Sequence, residues 1–261
     1  MAIIHQCAKH KIIEADIFEA LAIIEDASID LIFADAPYNT GTVFYNNWLD
    51  NWDTEKLHAD WCCLWLEIAI KKLKPNGSMY IMVGTAANAY VDIWLRSRMT
   101  IKSRIIWHYS SSGSASTHHF TQLHEPILHC VKNPKNYTFN CEDIAIPSPT
   151  GLSGKIDYRR KIPGQYATTK NPSNVWDFKR VTRTSRENEK GCPTIKPSGL
   201  IERVIRASSN ENDVVLDCFA GSFAFATVAK RLKRKSLSIE RDPAYTAVGR
   251  RRLNIRKAKN E

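Results

Sequence analysis

The sequence predicts an α/β fold, a mainly parallel, twisted sheet with helices on both faces. Strand-like apolar runs alternate with helical ones along the 261 residues, the pattern left by repeated strand–helix–strand crossovers. Two of those runs, over 29–34 and 214–216, pass straight into polar turns, Asp35-Ala36-Pro37-Tyr38 and Asp217-Cys218-Phe219-Ala220-Gly221-Ser222. Open α/β sheets bind ligands just beyond the carboxyl ends of their strands, so these two turns are the candidate site.

The elements follow in order. Phe18-Glu19-Ala20-Leu21-Ala22-Ile23-Ile24 reads as a first helix, and the β-branched and aromatic run Ile29-Asp30-Leu31-Ile32-Phe33-Ala34 as a buried strand. Asp53 or Thr54 offers an N-cap to a long helix through Leu57, Trp61, Leu64, Trp65 and Ile68, stopped near Pro75-Asn76-Gly77. Its four-residue apolar spacing is that of core packing. Strands are predicted at 78–83, 101–107 and 126–131, with a small-residue loop over 110–119 between the last two. From 133 to 191 periodicity is lost and Pro, Gly and basic residues accumulate, which reads as an insertion with little core of its own. Regular alternation returns with a helix over 198–208, a strand over 214–216, a helix over 224–232, a strand over 236–239 and a C-terminal helix. The expected organisation is therefore two halves of one domain, 1–132 and 192–261, around an insertion at 133–191.

Composition narrows the class. Hydrophobic residues at 43% and charged residues at 25% are ordinary for a soluble globular chain, and the length allows a sizeable core. No apolar run reaches the length of a membrane span, and the N-terminus lacks a basic segment followed by an apolar one, so no signal peptide is expected. The seven cysteines show neither a C-x-x-C pair nor zinc-ligand spacing. They read as reduced thiols of a cytoplasmic protein, with no metal site.

The net charge of +10 is unevenly placed, with eleven Lys/Arg against four acids between residues 151 and 200 and a second excess from Arg250 to Lys259. Concentrated positive charge favours phosphate contacts through counterion release. A solvated basic face is the alternative, but beside a site for a planar base, nucleic acid is the better reading. The Asp35 turn is such a site: a carboxylate, a main-chain carbonyl aimed by proline and a stacking ring together can hold a base by its exocyclic amino group.

In the second turn, glycine lets the backbone approach a ligand and the helix start offers free N–H groups. Glu240 ends the next strand, 19 residues beyond Gly221, where an acid in a doubly wound fold accepts hydrogen bonds from ribose hydroxyls. Asp217 reads equally as a helix cap. Cys192-Pro193-Thr194-Ile195-Lys196-Pro197 is a rigid support, or simply the lead into the helix that follows.

These motifs resemble a known family. The Asp35–Tyr38 tetrad, the Pro-Thr-x-Lys-Pro loop at 193–197 and the turn at 216–222 are similar to those of S-adenosylmethionine-dependent DNA amino-methyltransferases. So are Leu123-His124-Glu125-Pro126-Ile127-Leu128 and Asn174-Val175-Trp176-Asp177-Phe178. Their order, with the tetrad first, a basic variable region next and the cofactor motif last, resembles the β class. The resemblance implies a Rossmann-like methyltransferase fold in which 1–132 is the catalytic half, 133–191 the target-recognition insertion and 192–261 the cofactor-binding half.

It also implies roles. A target base is swung out of duplex DNA. Asp35 and the Ala36 carbonyl each accept one amino proton, Pro37 sets the turn and Tyr38 stacks on the base. S-adenosylmethionine is expected to meet Thr194 and Lys196 at its methionine end and the turn of Asp217, Phe219, Gly221 and Ser222 beside it. Glu240 would hold its ribose. Asp16 matches an acid near its adenine, with a helix N-cap as the equal alternative. Arg159, Arg160, Lys161, Lys179, Arg180, Arg183 and Arg186 are the expected DNA contacts, and His118 and His119 are either further contacts or plain surface. The expected reaction is methylation of adenine N6. The alternatives are cytosine N4 and, in another class, a non-catalytic DNA-binding or partner subunit. A homodimer is expected by analogy alone.

Three departures from the family pattern stand out: Ala36 where proline is usual, Phe223 where a second glycine is usual, and Ser238 before the ribose acid. At a turn chosen for close approach, the Phe223 ring is expected to crowd the cofactor or force a different backbone angle.

Overall fold

The protein is described here by a computed structural model covering residues 2–43, 49–110, 117–192 and 194–256. Most of the predicted loop at 110–119, Pro193 of the Pro-Thr-x-Lys-Pro loop and the last basic residues fall outside the described set.

The chain opens with a hairpin of β1 (Ile3–Cys7) and β2 (His10–Glu14), then α1 (Ile17–Ala22) and β3 (Ile29–Asp35). Next come α2 (Glu55–Lys72), β4 (Leu73–Met82), α3 (Gly84–Leu95), β5 (Thr100–His108) and β6 (His124–Val131). The basic segment holds β7 (Ile146–Pro147), α4 (Pro149–Leu152), β8 (Ile156–Asp157), β9 (Gly164–Gln165), β10 (Thr169–Lys170) and β11 (Val175–Asp177). The last part is α5 (Ser198–Ser208), β12 (Val214–Asp217), α6 (Ala224–Arg231), β13 (Lys235–Glu240) and α7 (Pro243–Leu253).

Nine strands form one sheet in the order β1-β2-β13-β12-β3-β4-β6-β5-β11. The central block from β2 through β13, β12 and β3 to β4 is parallel throughout. The β1–β2 hairpin is antiparallel, and β6 pairs antiparallel with both β4 and β5. β11 returns from the basic segment to pair in parallel with β5. The small hairpins β7–β10 and β8–β9 stand outside this sheet.

The two faces follow from period-two alternation. Ile32 and Ala34 of β3 join one buried cluster with Leu21 of α1, Trp65 and Leu66 of α2 and Val91 of α3. Leu31 and Phe33 join the other with Leu200 and Val204 of α5 and Phe225 and Val228 of α6. The crossover from β3 to β4 therefore runs over one face and that from β12 to β13 over the other. β3 and β12 are neighbours, so their connections part between them and leave a crevice at their carboxyl ends.

The caps agree with the sequence reading. Thr54 caps α2, accepting from the Leu57 amide at 3.1 Å, and Asp16 caps α1, accepting from Phe18 at 3.0 Å. The α5 N-terminus, which begins after Pro197, is served by Glu187 of the basic segment, whose carboxylate accepts from Ser198 N and Oγ at 2.8 Å each. No helix among the described residues is long and apolar enough to cross a membrane.

Candidate active site

At the crevice between β3 and β12 lies a cavity of about 530 Å³. Its wall includes all of Asp35–Tyr38 together with Asp16, Thr194, Lys196, Asp217, Phe219, Gly221, Ser222 and Glu240. The sheet brings its three strand-end acids together. β3, β12 and β13 run parallel and adjacent, and they end at Asp35, Asp217 and Glu240. Asp16 is the N-cap of α1 and also part of the cavity wall.

Asp35 has both carboxylate oxygens engaged. The Tyr38 hydroxyl donates to Oδ1 at 2.9 Å, and the Lys196 ammonium lies 2.7 Å from Oδ2. Lys196 also lies 3.5 Å from Glu125 Oε2, and its ammonium stands over the rings of Tyr38 and Trp107. Burial alone would lower the lysine, but the flanking Asp35 and Glu125 carboxylates outweigh it and hold it above the usual range. The ion pairs of Lys196 are thus with Asp35 and Glu125 in the cavity wall.

Ala36 is buried, and its amide donates to the Met82 carbonyl at 3.0 Å. A proline there has no N–H and would lose this bond between β3 and β4. Alanine therefore replaces ring rigidity with a sheet hydrogen bond and leaves the carbonyl in place. The Pro37 carbonyl accepts from His58 Nε2 at 2.8 Å, and the Tyr38 ring lies against Gly84, where an added Cβ would meet Tyr38 Cγ at 3.1 Å. Gly84 has φ +72°, so both its conformation and its lack of a side chain make room for the tyrosine.

Two acids with no role in the sequence reading organise this end. Asp50, only 1% exposed, accepts from the amides of Tyr38 (3.1 Å), Asn39 (2.8 Å) and Thr40 (3.2 Å) and fixes the chain just after the tetrad. Glu125 accepts from the Tyr38 hydroxyl at 2.8 Å. Glu125 does lie in a stretch that resembles the family, but its partners come from β3 and the 194–197 loop, and only the fold brings them together. Nothing in the sequence around Asp50 marks it.

At the other end, Phe219 and Trp61 form an aromatic wall, their ring centroids 5.9 Å apart, with Trp65 behind Phe219 at 5.1 Å. Gly221 has φ +46° and nothing within 4 Å of an added Cβ, so the turn is open on its outer side. The Gly221 amide donates to Glu240 Oε2 at 2.8 Å and the Asp242 amide to Oε1 at 2.9 Å. Burial raises Glu240 to about 7 against those amides, and burial raises Asp217 to about 8. A polar turn, a flat aromatic wall and several acids suit a nucleoside that carries positive charge.

The Phe223 ring does not crowd this cavity, which corrects the expectation from sequence. It is fully buried in a cluster with Ile12, Tyr245 and Leu253 and is not itself part of the cavity wall. It fills the space above Gly249, where an added Cβ would meet its ring at 2.4 Å. Nor is the backbone angle changed, since Phe223 keeps φ +59°, the left-handed conformation that a glycine would take. Ser238 is wholly buried in β13.

Of the seven cations expected to contact DNA, Arg180 lines the cavity, its guanidinium 5.0 Å from the Tyr109 ring. Arg159 and Arg160 both pair with Asp157 beside β8, at 3.0 and 3.5 Å. Lys161, Lys179, Arg183 and Arg186 are exposed on the basic segment outside the cavity wall. Among the described residues no cluster of His, Cys, Asp or Glu is arranged to hold a metal ion.

Comparison with known proteins agrees with this geometry. The family model of DNA methylases, of the N6/N4 type, matches residues 29–250. The DNA adenine methyltransferase YhdJ of Escherichia coli (strain K12) is 44% identical over 245 residues, 94% of this chain and 82% of that protein. The type II methyltransferase M.HpaI of Haemophilus parainfluenzae is 36% identical over 246 residues, 94% and 74% of the two chains. Among solved structures, the cytosine-N4-specific PvuII DNA methyltransferase shares the fold with a TM-score of 0.73 at 18% identity, covering 98% of this chain and 89% of its own. The M1.HpyAVI–SAM complex does so with a TM-score of 0.65 at 23% identity, covering 94% and 100%. With a family match over most of its length and the two polar turns of its sheet meeting in one cavity, this chain belongs to the N6/N4 DNA methylases.

Proposed function

We propose that the protein transfers a methyl group from S-adenosylmethionine to the N6 amino group of adenine in duplex DNA, with the base turned out of the helix into the cavity. The observation that carries this reading is that Asp35 and Ala36 line one cavity with the turn of Asp217–Ser222 and with Glu240. Adenine is preferred to cytosine because the 44% identical relative is named an adenine methyltransferase.

An exocyclic amino nitrogen is a poor nucleophile, since its lone pair is delocalised into the ring. Asp35 and the Ala36 carbonyl each accept one amino hydrogen, which favours a pyramidal nitrogen and directs its lone pair across the cavity. Tyr38 gives the base a face to stack on. The bound cofactor supplies an electrophilic methyl group. Phe219 and Trp61 offer flat surfaces to its adenine, Glu240 accepts from its ribose, and Asp16 and Thr194 close the site around it. The acids of the cavity favour a cation at its centre, and acceptors already in place stabilise the charge that develops on nitrogen. Alignment of the two reacting groups contributes much of the rest. The reading as a non-catalytic subunit loses its main support, because the Phe223 ring lies outside the cavity wall.

The test is direct. The protein is incubated with labelled S-adenosylmethionine and mixed-sequence duplex DNA, and the digested nucleosides are separated. Label in N6-methyladenine is expected; label in N4-methylcytosine moves the target to cytosine, and DNA binding with no label points to the non-catalytic subunit. Asp35→Ala is expected to lower transfer by a factor on the order of a hundred or more while the cofactor dissociation constant stays nearly the same. Unchanged turnover would remove Asp35 from its role.

A further inference from the structure

Tyr38 has one hydroxyl hydrogen and two carboxylates in reach of it, Asp35 Oδ1 at 2.9 Å and Glu125 Oε2 at 2.8 Å. A phenol oxygen donates one hydrogen bond and accepts others. It can therefore give its proton to one acid while it receives a proton from the other. The phenol itself stays neutral, because burial, reinforced by the two carboxylates, raises it well above the ordinary tyrosine range. Lys196 makes the two acids unequal, being 2.7 Å from Asp35 and 3.5 Å from Glu125. Tyr109, just after β5, Arg180 above its ring, and Asp217, which interacts with Asp35, also belong to the ionisable surroundings.

We propose that Glu125 is the terminal acceptor of the proton that leaves the target nitrogen, reached through Asp35 and the Tyr38 hydroxyl. This rests on the methyl-transfer reading above. As the nitrogen–methyl bond forms and the donor–methyl bond breaks, positive charge builds on the nitrogen, which in the same step gives an N–H proton to Asp35 and keeps the electron pair. Asp35 passes a proton to the Tyr38 oxygen as the phenol's own proton moves to Glu125 Oε2. The outcome is a neutral methylamino group, Asp35 again a carboxylate, Tyr38 unchanged and Glu125 a neutral acid that later releases its proton to water. Glu125 does not touch the reacting atoms; it acts through Tyr38.

Single-turnover methylation of duplex DNA by the full chain, with labelled S-adenosylmethionine, tests the relay in four proteins: wild type, Tyr38→Phe, Glu125→Gln and the double variant. Each single change is expected to slow transfer roughly tenfold to a hundredfold. The double variant should be no slower than the slower single one, because both interrupt one path. Glu125→Ala, which opens space, should regain rate in added formate, and Glu125→Gln, which fills it, should not. A Glu125→Gln rate within about twofold of wild type, losses that multiply in the double variant, or an alanine variant indifferent to formate would each overturn the relay. Any of these with an active wild type sinks the relay alone. A wild type that labels no DNA sinks the methyl-transfer reading and the relay with it.

Discussion

Glu240 and Asp217 face the cavity from the ends of adjacent strands, and burial pushes them up to about 7 and about 8. In the unfolded chain both titrate near 4. The folded state thus holds protons that the unfolded state has lost, and by linkage the stability these two carboxyls contribute is full below about pH 4 and lost as pH rises through about 7 to 8. The cofactor-free protein is expected to melt at a lower temperature at pH 8.5 than at pH 6, and Glu240→Gln should flatten that slope. A cationic cofactor favours the ionised acids, so its dissociation constant should fall over the same range with net release of protons. Titration calorimetry in two buffers of different ionisation heat reads that release directly, and a pH-independent affinity would count against it.

At the scale of elements, the turn from β12 into α6 shows how the chain dispenses with a glycine. Phe223 takes φ +59° and spends its ring on the seam between α6 and α7, over Gly249. Phe223→Gly would suit the backbone but empty a buried site, and is expected to cost roughly 3 kcal/mol of stability with the cofactor dissociation constant unchanged. Tighter cofactor binding in that variant would show that the ring does reach the cavity. This seam was not legible in the sequence, because a side chain's direction at a left-handed residue depends on what packs above it. The strands bearing Asp35 and Asp217 were legible because buried parallel strands read as continuous apolar runs, and the one bearing Glu240 by the alternation of Leu237 and Ile239 with serine. The β1–β2 hairpin escaped because it lies at the sheet edge with Ile3 and Ile4 exposed. α3 escaped because it begins at a left-handed glycine with no side-chain cap, and β11 because three residues carry no period. Likewise, the tetrad and Glu240 stood out by position at the ends of their strands, whereas Asp50 and Glu125 act through partners distant in sequence.

Over the whole molecule, charge and connectivity combine at one place. The basic segment is fastened to α5 by Glu187 at its N-terminus and to α7 by Glu189 on Arg251 at 2.5 Å. Just before these anchors the chain passes Arg180 and Val181 along the cavity wall, and Lys179, Arg183 and Arg186 on either side are exposed. On the proposed reading, cations that flank this stretch of cavity wall meet the phosphates beside the target nucleotide, where they fix position and carry no sequence information. Replacing Lys179, Arg183 and Arg186 by alanine should therefore weaken binding to all duplexes alike. The slope of log affinity against log salt should shrink by about 0.9 for each phosphate that is no longer neutralised, or roughly 2.7 for all three. Arg180 differs in that it stands on Tyr109 inside the wall, so Arg180→Ala should reduce methylation more than it changes the salt slope. Binding titrations on duplex DNA at several salt concentrations, set beside turnover, separate the two behaviours. A triple variant that keeps the wild-type slope would move the DNA-binding face elsewhere, with Arg159, Arg160 and Lys161 beside β8 the next cations to test.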